Sequence, residues 1–229
     1  MKRSHFLTGT AALALSIAAN LLVPAPALAP PPPDPSPGGP VAAPPRPPAP
    51  SPRPSEPPVP TKYGVHLLLD DGHGLWQTDV WADHVHAARE LVGEGGYVVE
   101  VVQLGQLDVS RWQYFLDLCA RERLIPILRL ATTYDRDALL WPAPPANLVD
   151  GGYHEVAGVF RDFLARLRWP WPTKYAIVAN EPNRGDEWGN APNPAAYADY
   201  LIAMSAALRS VGVTVLGPAL DLYCPNSNG

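Results

Sequence analysis

Three polar residues and a proline follow a short apolar run in the last third of the chain. Residues 175–179 are typical of a buried parallel strand, and Asn180, Glu181, Pro182 and Asn183 come directly after them. The proline ends the strand and biases Glu181 toward an extended backbone. Because α/β proteins place their chemistry at the carboxyl ends of parallel strands, Asn180 and Glu181 are the first candidates for a site. A carboxyl group in that position is suited to acid–base chemistry.

The elements that must position this cluster alternate regularly between strand and helix. Strands are predicted at residues 63–69, 97–104, 125–131, 175–179 and 213–219, and helices at 79–91, from 110, at 153–168 and from 194. This alternation implies a parallel sheet with helices outside it. The spacing of the units favours a (β/α)₈ barrel, which needs eight of them. The predicted fold class is therefore α/β, a parallel (β/α) barrel truncated after strand five of eight.

Local signals mark two of the helix starts and one buried face. Ser110 and Gln113 have the spacing of a capping box at the start of the second helix. Asn193 followed by Pro194 predicts an N-cap and first position for the fourth helix. Cys119 lies on the apolar face of the second helix, so we expect it to pack against the sheet.

The N-terminus has the order of a secretory signal. Lys2 and Arg3 precede an apolar segment over residues 6–23, and small residues follow it. Cleavage after Ala27 fits the small-residue rule, which makes residues 1–27 a signal peptide. An uncleaved single-pass anchor is the alternative, although the apolar segment is short for a membrane span.

A proline-rich stretch separates this segment from the folded part. The chain holds 30 prolines, and they concentrate in residues 28–61. Little apolar surface exists there to offset the entropy of ordering, so these residues are predicted to be a disordered, extended linker. The domain boundaries are then 28–61 for the linker and 62–229 for the partial barrel.

Composition excludes several kinds of partner and cofactor. The net charge of −5 and the lack of a basic stripe argue against nucleic acid. Cys119 and Cys224 are too few for a disulfide framework. The first strand is not followed by a G-x-G-x-x-G fingerprint, no convincing metal-ligand spacing is present, and a G-x-S-x-G elbow is absent. We expect no cofactor and no metal, with membrane contact only through the N-terminal segment.

The strand-four motif resembles one enzyme group. Ala179-Asn180-Glu181-Pro182 at the end of a fourth barrel strand is similar to the motif of the cellulase-like, clan A retaining glycoside hydrolases. The resemblance covers roughly residues 63–229. It implies that Glu181 is the general acid/base and that Asn180 contacts the sugar 2-hydroxyl. It also implies an oligo- or polysaccharide substrate.

Two features depart from that group's pattern. A retaining glycosidase needs a second carboxylate about 5–5.5 Å from the acid, and in this group it is a glutamate on strand seven, which this sequence does not reach. Many members also carry an arginine at the end of strand two, where this chain has Gln103. Arg129 on strand three is predicted to take that role, or instead to pair with Glu100 inside the barrel.

Loops on the same face supply aromatic candidates. Tryptophans predicted to stack on sugars are Trp76, Trp141 and Trp188, with Tyr134 beside them and His73 as a further sugar contact. The alternative is that these rings pack their own loops. Carboxylates that could pair with Glu181 are Asp70, Asp71, Asp135, Glu187 and Asp221; each is also suited to capping or loop hydrogen bonds.

Together these features predict an exported glycoside hydrolase, secreted or associated with the cell envelope. It would cleave O-glycosidic bonds by a retaining two-carboxylate mechanism, and this chain would carry the acid/base half of the site. One alternative is a noncatalytic carbohydrate-binding or wall-associated barrel-like protein. Another is a small α/β domain in which the Asn-Glu-Pro sequence is coincidental.

Overall fold

A computed structural model describes residues 56–69 and 76–222 of the 229-residue chain. These residues form one sheet of five strands, which follow one another in chain order and are all parallel. The elements are β1 (Gly64–His66), α1 (Trp81–Val92), β2 (Tyr97–Gln103), α2 (Val109–Arg121), β3 (Ile125–Ala131), α3 (His154–Ala165), β4 (Lys174–Val178), α4 (Pro194–Arg209) and β5 (Val213–Leu216). The predicted α/β alternation is confirmed, and the sheet is compatible with part of a barrel. Among the described strands, β1 and β5 are the two edges.

The two faces of the sheet have different surroundings because side chains alternate along a strand. Val102, Leu130 and Val178 are register partners on β2, β3 and β4 and are fully buried in the core. Arg129 and Ile177 are register partners one residue away and therefore lie on the opposite face. Arg129, two residues before the end of β3, thus presents a charged group on the face away from the main core.

The helices contribute large aromatic side chains to that core. Trp81 on α1 and Trp112 and Phe115 on α2 are fully buried, and the Trp81 and Trp112 rings lie 5.8 Å apart. Cys119 is also fully buried, as its place on the apolar face of α2 predicted. Burial of such side chains is the largest favourable contribution to folding, about 1.5–3 kcal/mol for each phenylalanine-sized group.

The start of α2 differs from the predicted capping box. Asp108 is the N-cap, and its side chain accepts hydrogen bonds from the backbone amides of Ser110 and Arg111 at 2.8 and 3.1 Å. Gln113 is buried and bonds the backbone of Arg168, accepting from its N–H at 2.7 Å and donating to its carbonyl at 3.0 Å. The Ser110–Gln113 box was therefore wrong, because Gln113 joins α2 to the segment after α3 and does not reach back to the helix start.

The start of α4 agrees with its prediction. The Asn193 side chain accepts from the Ala196 amide at 3.0 Å, and Pro194 opens the helix. The strand that follows, β5, ends at Leu216, three residues earlier than predicted. Pro218 lacks the N–H that a longer strand would donate.

The last residues of the predicted linker lie against the domain. Thr61 donates its backbone N–H to the Gly95 carbonyl at 3.0 Å, and Arg123 donates to the Glu56 carbonyl at 3.3 Å. Pro58 is buried. The predicted signal peptide and the rest of the linker lie outside the described residues. None of the helices in residues 56–69 and 76–222 combines the length and apolar character needed to span a bilayer.

Candidate functional site

The backbone turns sharply where β4 ends. Ala179 donates its N–H to the Leu130 carbonyl at 3.0 Å, which continues the β3–β4 ladder by one bond. Its φ is +66°, in the left-handed region that alanine rarely adopts. Such strained backbones are common at functional sites. The turn ends the strand and sends Asn180 and Glu181 to the carboxyl-end rim of the sheet.

The Asn180 amide is held at both ends. Arg129 on β3 donates from Nη1 to Asn180 Oδ1 at 2.9 Å. Asn180 Nδ2 donates to Glu187 Oε1 at 2.7 Å. Both bonds have a charged partner, and such bonds are roughly twice as strong as neutral ones. Three predicted candidates are thus brought into one chain of hydrogen bonds at the ends of β3 and β4.

Burial is the largest influence on the pKa values of Arg129 and Glu187, the two charged residues of this hydrogen-bonded chain. It raises the pKa of Glu187, an effect that the hydrogen bond from Asn180 and the charge of Arg129 oppose. Burial also lowers the pKa of Arg129, and the carboxylates of Glu187, Glu100 and Glu181 raise it. Arg129 Nε is buried and has no hydrogen-bond partner among residues 56–69 and 76–222; a buried donor left unpaired costs about 1–3 kcal/mol.

Glu181 itself lies at the more open side of the rim. Its side chain is 28 % exposed, and its Oε2 is 3.5 Å from Arg184 Nη1. Arg184 donates its backbone N–H to the Glu181 carbonyl at 2.8 Å, which closes a tight turn. Arg184 also bonds Asp186 through Nε at 2.9 Å and lies 3.8 Å from Asp221 Oδ2. Glu181 is therefore both accessible to a ligand and close to a cation.

The loop after β3 and the loop after β4 are joined by their backbones. Trp141 donates its N–H to the Asp186 carbonyl at 2.6 Å and accepts from the Gly189 N–H at 2.8 Å. A cleft between them is lined by Asn180, Glu187 and Trp141, among others. A water molecule's centre can occupy about 20 Å³ of it, which is room for about one water. A larger ligand would therefore lie over the rim and not inside this cleft.

The three predicted tryptophans differ in their burial. Trp188 is only 3 % exposed and packs edge-on against Tyr197 and Tyr200 of α4, which leaves little of its ring to stack on a sugar. Trp141 is half-buried and packs on Tyr134, with ring centroids 5.1 Å apart.

Trp76 is also half-buried, and its ring lies 4.8 Å from that of His84 on α1. Neither Trp76 nor Trp141 is enclosed, so each leaves part of its ring to solvent. His73 lies outside the described residues.

The other predicted carboxylates divide in the same way. Asp135 accepts two backbone N–H groups within its own loop, and the backbone of Asp221 forms two hydrogen bonds with the Asn183 side chain. Asp70 and Asp71 lie outside the described residues. Glu100 sits on the core-facing side of β2, between the positions of Val98 and Val102, whereas Arg129 faces the other way. The predicted Arg129–Glu100 pair inside the barrel is replaced by the contact with Asn180.

Sequence patterns did not predict that Glu187 is the carboxylate hydrogen-bonded to Asn180. It was one of five possible partner carboxylates, with nothing in its spacing to favour it. Glu187 follows Asn180 by seven residues in an irregular loop, so no helical or strand period relates the two side chains. Within the described ranges, no group of three or more His, Cys, Asp and Glu side chains is arranged to hold a metal ion.

Comparison with known proteins leaves the family open. No protein-family model matches this chain, and no curated protein matches it either.

Proposed function

We propose that this chain carries the acid/base half of a retaining glycoside hydrolase site, with Glu181 as the acid/base. The observation that carries the proposal is the position of Glu181, an accessible carboxyl at the end of the fourth of five parallel strands. Asn180 beside it has a fixed amide that can bond a sugar hydroxyl. The sheet would be the first five strands of a (β/α)₈ barrel, in which such strand ends form the active site.

Glu181 would act in two steps. As an acid it protonates the oxygen of the leaving group, and as a base it then takes a proton from the attacking water. Such proton transfer contributes about 10²–10⁴ in rate. Arg184 Nη1 lies 3.5 Å from Glu181 Oε2, so a positive charge stands beside this carboxyl.

The nucleophile is not assigned to a described residue. Glu187 is the neighbouring carboxylate, but one of its oxygens is bound to Asn180. By resemblance, the nucleophile is a glutamate on a seventh strand. The substrate is an oligo- or polysaccharide, and half-buried Trp76 and Trp141 are the rings placed to contact it. The N-terminal signal and proline-rich linker would export the domain and hold it away from an envelope.

The test compares leaving groups. Aryl glycosides with a good leaving group, such as dinitrophenolate, need no acid, whereas alkyl glycosides do. In the full reading frame, Glu181→Gln should lower kcat/KM for the alkyl glycoside by about 10²-fold or more. It should lower kcat/KM for the dinitrophenyl glycoside much less. Glu90→Gln, an exposed glutamate on α1, is the matched control. Equal losses on both substrates would remove Glu181 from acid catalysis.

A noncatalytic carbohydrate-binding protein is the second candidate. The described strands supply one accessible strand-end glutamate, whereas a retaining mechanism needs two carboxylates. The test uses the wild-type protein from the full reading frame. If it binds a polysaccharide column but releases no reducing sugar, this candidate is favoured over the enzyme.

A further inference from the structure

The Asn180 side chain has only one orientation that suits its neighbours. A guanidinium has donors and no acceptor, and an ionised carboxylate has acceptors and no donor. Oδ1 must therefore face Arg129 and Nδ2 must face Glu187, as the two bonds at 2.9 and 2.7 Å show. A flipped amide would set donor against donor and acceptor against acceptor. Charge on both sides thus makes the orientation unique.

This arrangement uses half of what the amide offers. An asparagine amide has two N–H donors and two acceptor lone pairs. Arg129 takes one lone pair and Glu187 takes one N–H. The second N–H has no partner among the described residues, and Asn180 is half-buried at the edge of the cleft. The donor left for a ligand is therefore on the same nitrogen that Glu187 holds.

We propose that Glu187 is a positioning residue, which with Arg129 locks the Asn180 amide so that its free N–H faces a ligand hydroxyl beside Glu181. The ligand role rests on the proposed glycosidase function, but the lock is a property of the folded chain without substrate. Glu187 is the part of the lock that can be switched, since protonating its carboxylate weakens the acceptor that holds Nδ2. Arg129 keeps its charge throughout.

Several charged groups surround Glu187 and set when that switch occurs. Arg129 on β3 lowers its pKa, and Asp186 and Glu181 in the loop after β4 raise it. Burial, the largest influence, also raises its pKa. The lock should therefore loosen as pH falls through a midpoint above 4.5, the ordinary value for a glutamate.

The experiment follows the Asn180 side-chain NH₂ signals by ¹⁵N–¹H NMR on the full chain, assigned by their loss in Asn180→Ser. In the wild type we expect two well-separated proton signals, of which the bonded one moves upfield as pH falls, with a midpoint above 4.5. Glu187→Gln retains a neutral acceptor of the same shape. Its Asn180 signals should stay separated and show no such titration.

Glu181→Gln separates the two carboxylates. The Asn180 signals should still titrate in this variant, because the group that holds Nδ2 is unchanged. Titration that survives in Glu187→Gln, or that is lost in Glu181→Gln, would overturn the proposal, as would wild-type signals that do not move. A failure to hydrolyse glycosides would count against the proposed function alone, since the NMR readout needs no substrate.

Discussion

Replacing Ala179 with glycine tests whether the backbone at the end of β4 is strained. Ala179 has φ +66°, and an L-residue adopts that left-handed conformation at a cost of about 1–2 kcal/mol. Glycine has no Cβ and adopts it without this penalty. The substitution therefore removes a cost from the folded state while leaving the course of the backbone unchanged.

Two opposing effects must be subtracted. Glycine makes the unfolded chain more flexible, which destabilises the fold by about 0.4–1 kcal/mol. The half-buried methyl group of Ala179 is also lost, and complete burial of one such carbon is worth about 0.8 kcal/mol. These losses roughly offset the relief of strain. We expect Ala179→Gly to change the free energy of unfolding by less than about 1 kcal/mol.

Ala176→Gly is the matched control in the same strand. Ala176 is fully buried and has no positive φ, so the substitution gains nothing and should cost about 1.5 kcal/mol or more. Urea unfolding of the full chain, followed by tryptophan fluorescence, measures both. We expect Ala176→Gly to lose at least about 1 kcal/mol more than Ala179→Gly. Equal losses would refute the claim that the turn is strained.

Three further tests concern local features of the fold. Asp108→Ala should lower the free energy of unfolding by about 1 kcal/mol, whereas Ser110→Ala should change it little. A larger loss for Ser110→Ala than for Asp108→Ala would instead support Ser110 as the N-cap. Gly95→Ala should cost clearly more stability than Gly93→Ala. Both glycines have positive φ, but of the two only Gly95 would bring a Cβ into the Val59 backbone carbonyl; equal costs by thermal unfolding would argue against that clash. The hydrogen bond from Arg184 is the main cause of the lowered pKa of Asp186. Asp186→Asn should therefore be less stable than the wild type above pH 3.8, and the difference should vanish as pH falls further; a pH-independent difference in urea midpoint would contradict this.

Helix ends show where sequence patterns succeeded and failed. Asn193 was identified as an N-cap because Pro194 after it leaves one position for the helix to begin. At the start of α2 the capping-box spacing predicted Ser110, whereas the structure has Asp108 as the N-cap. The bonds of Gln113 to Arg168 occupy the side chain that the capping box needed, and they join residues 55 positions apart.

The tryptophans show the same limit. Trp141 and Trp188 both lie in irregular loops beside the candidate site, and nothing local distinguishes the half-buried ring from the buried one. Trp188 is buried because two tyrosines of α4 lie against it. Its burial depends on how α4 packs beside the loop, which no spacing within the loop records.

The sequence alone determined the order of strands and helices and the place of Asn180 and Glu181 at a strand end. These follow from periodicity and from the restriction that Pro182 imposes, both of which act over a few residues. Only the tertiary structure decided that Asn180 is held between Arg129 and Glu187. Those three side chains come from two strand ends and an irregular loop, and parallel pairing of β3 with β4 brings them together.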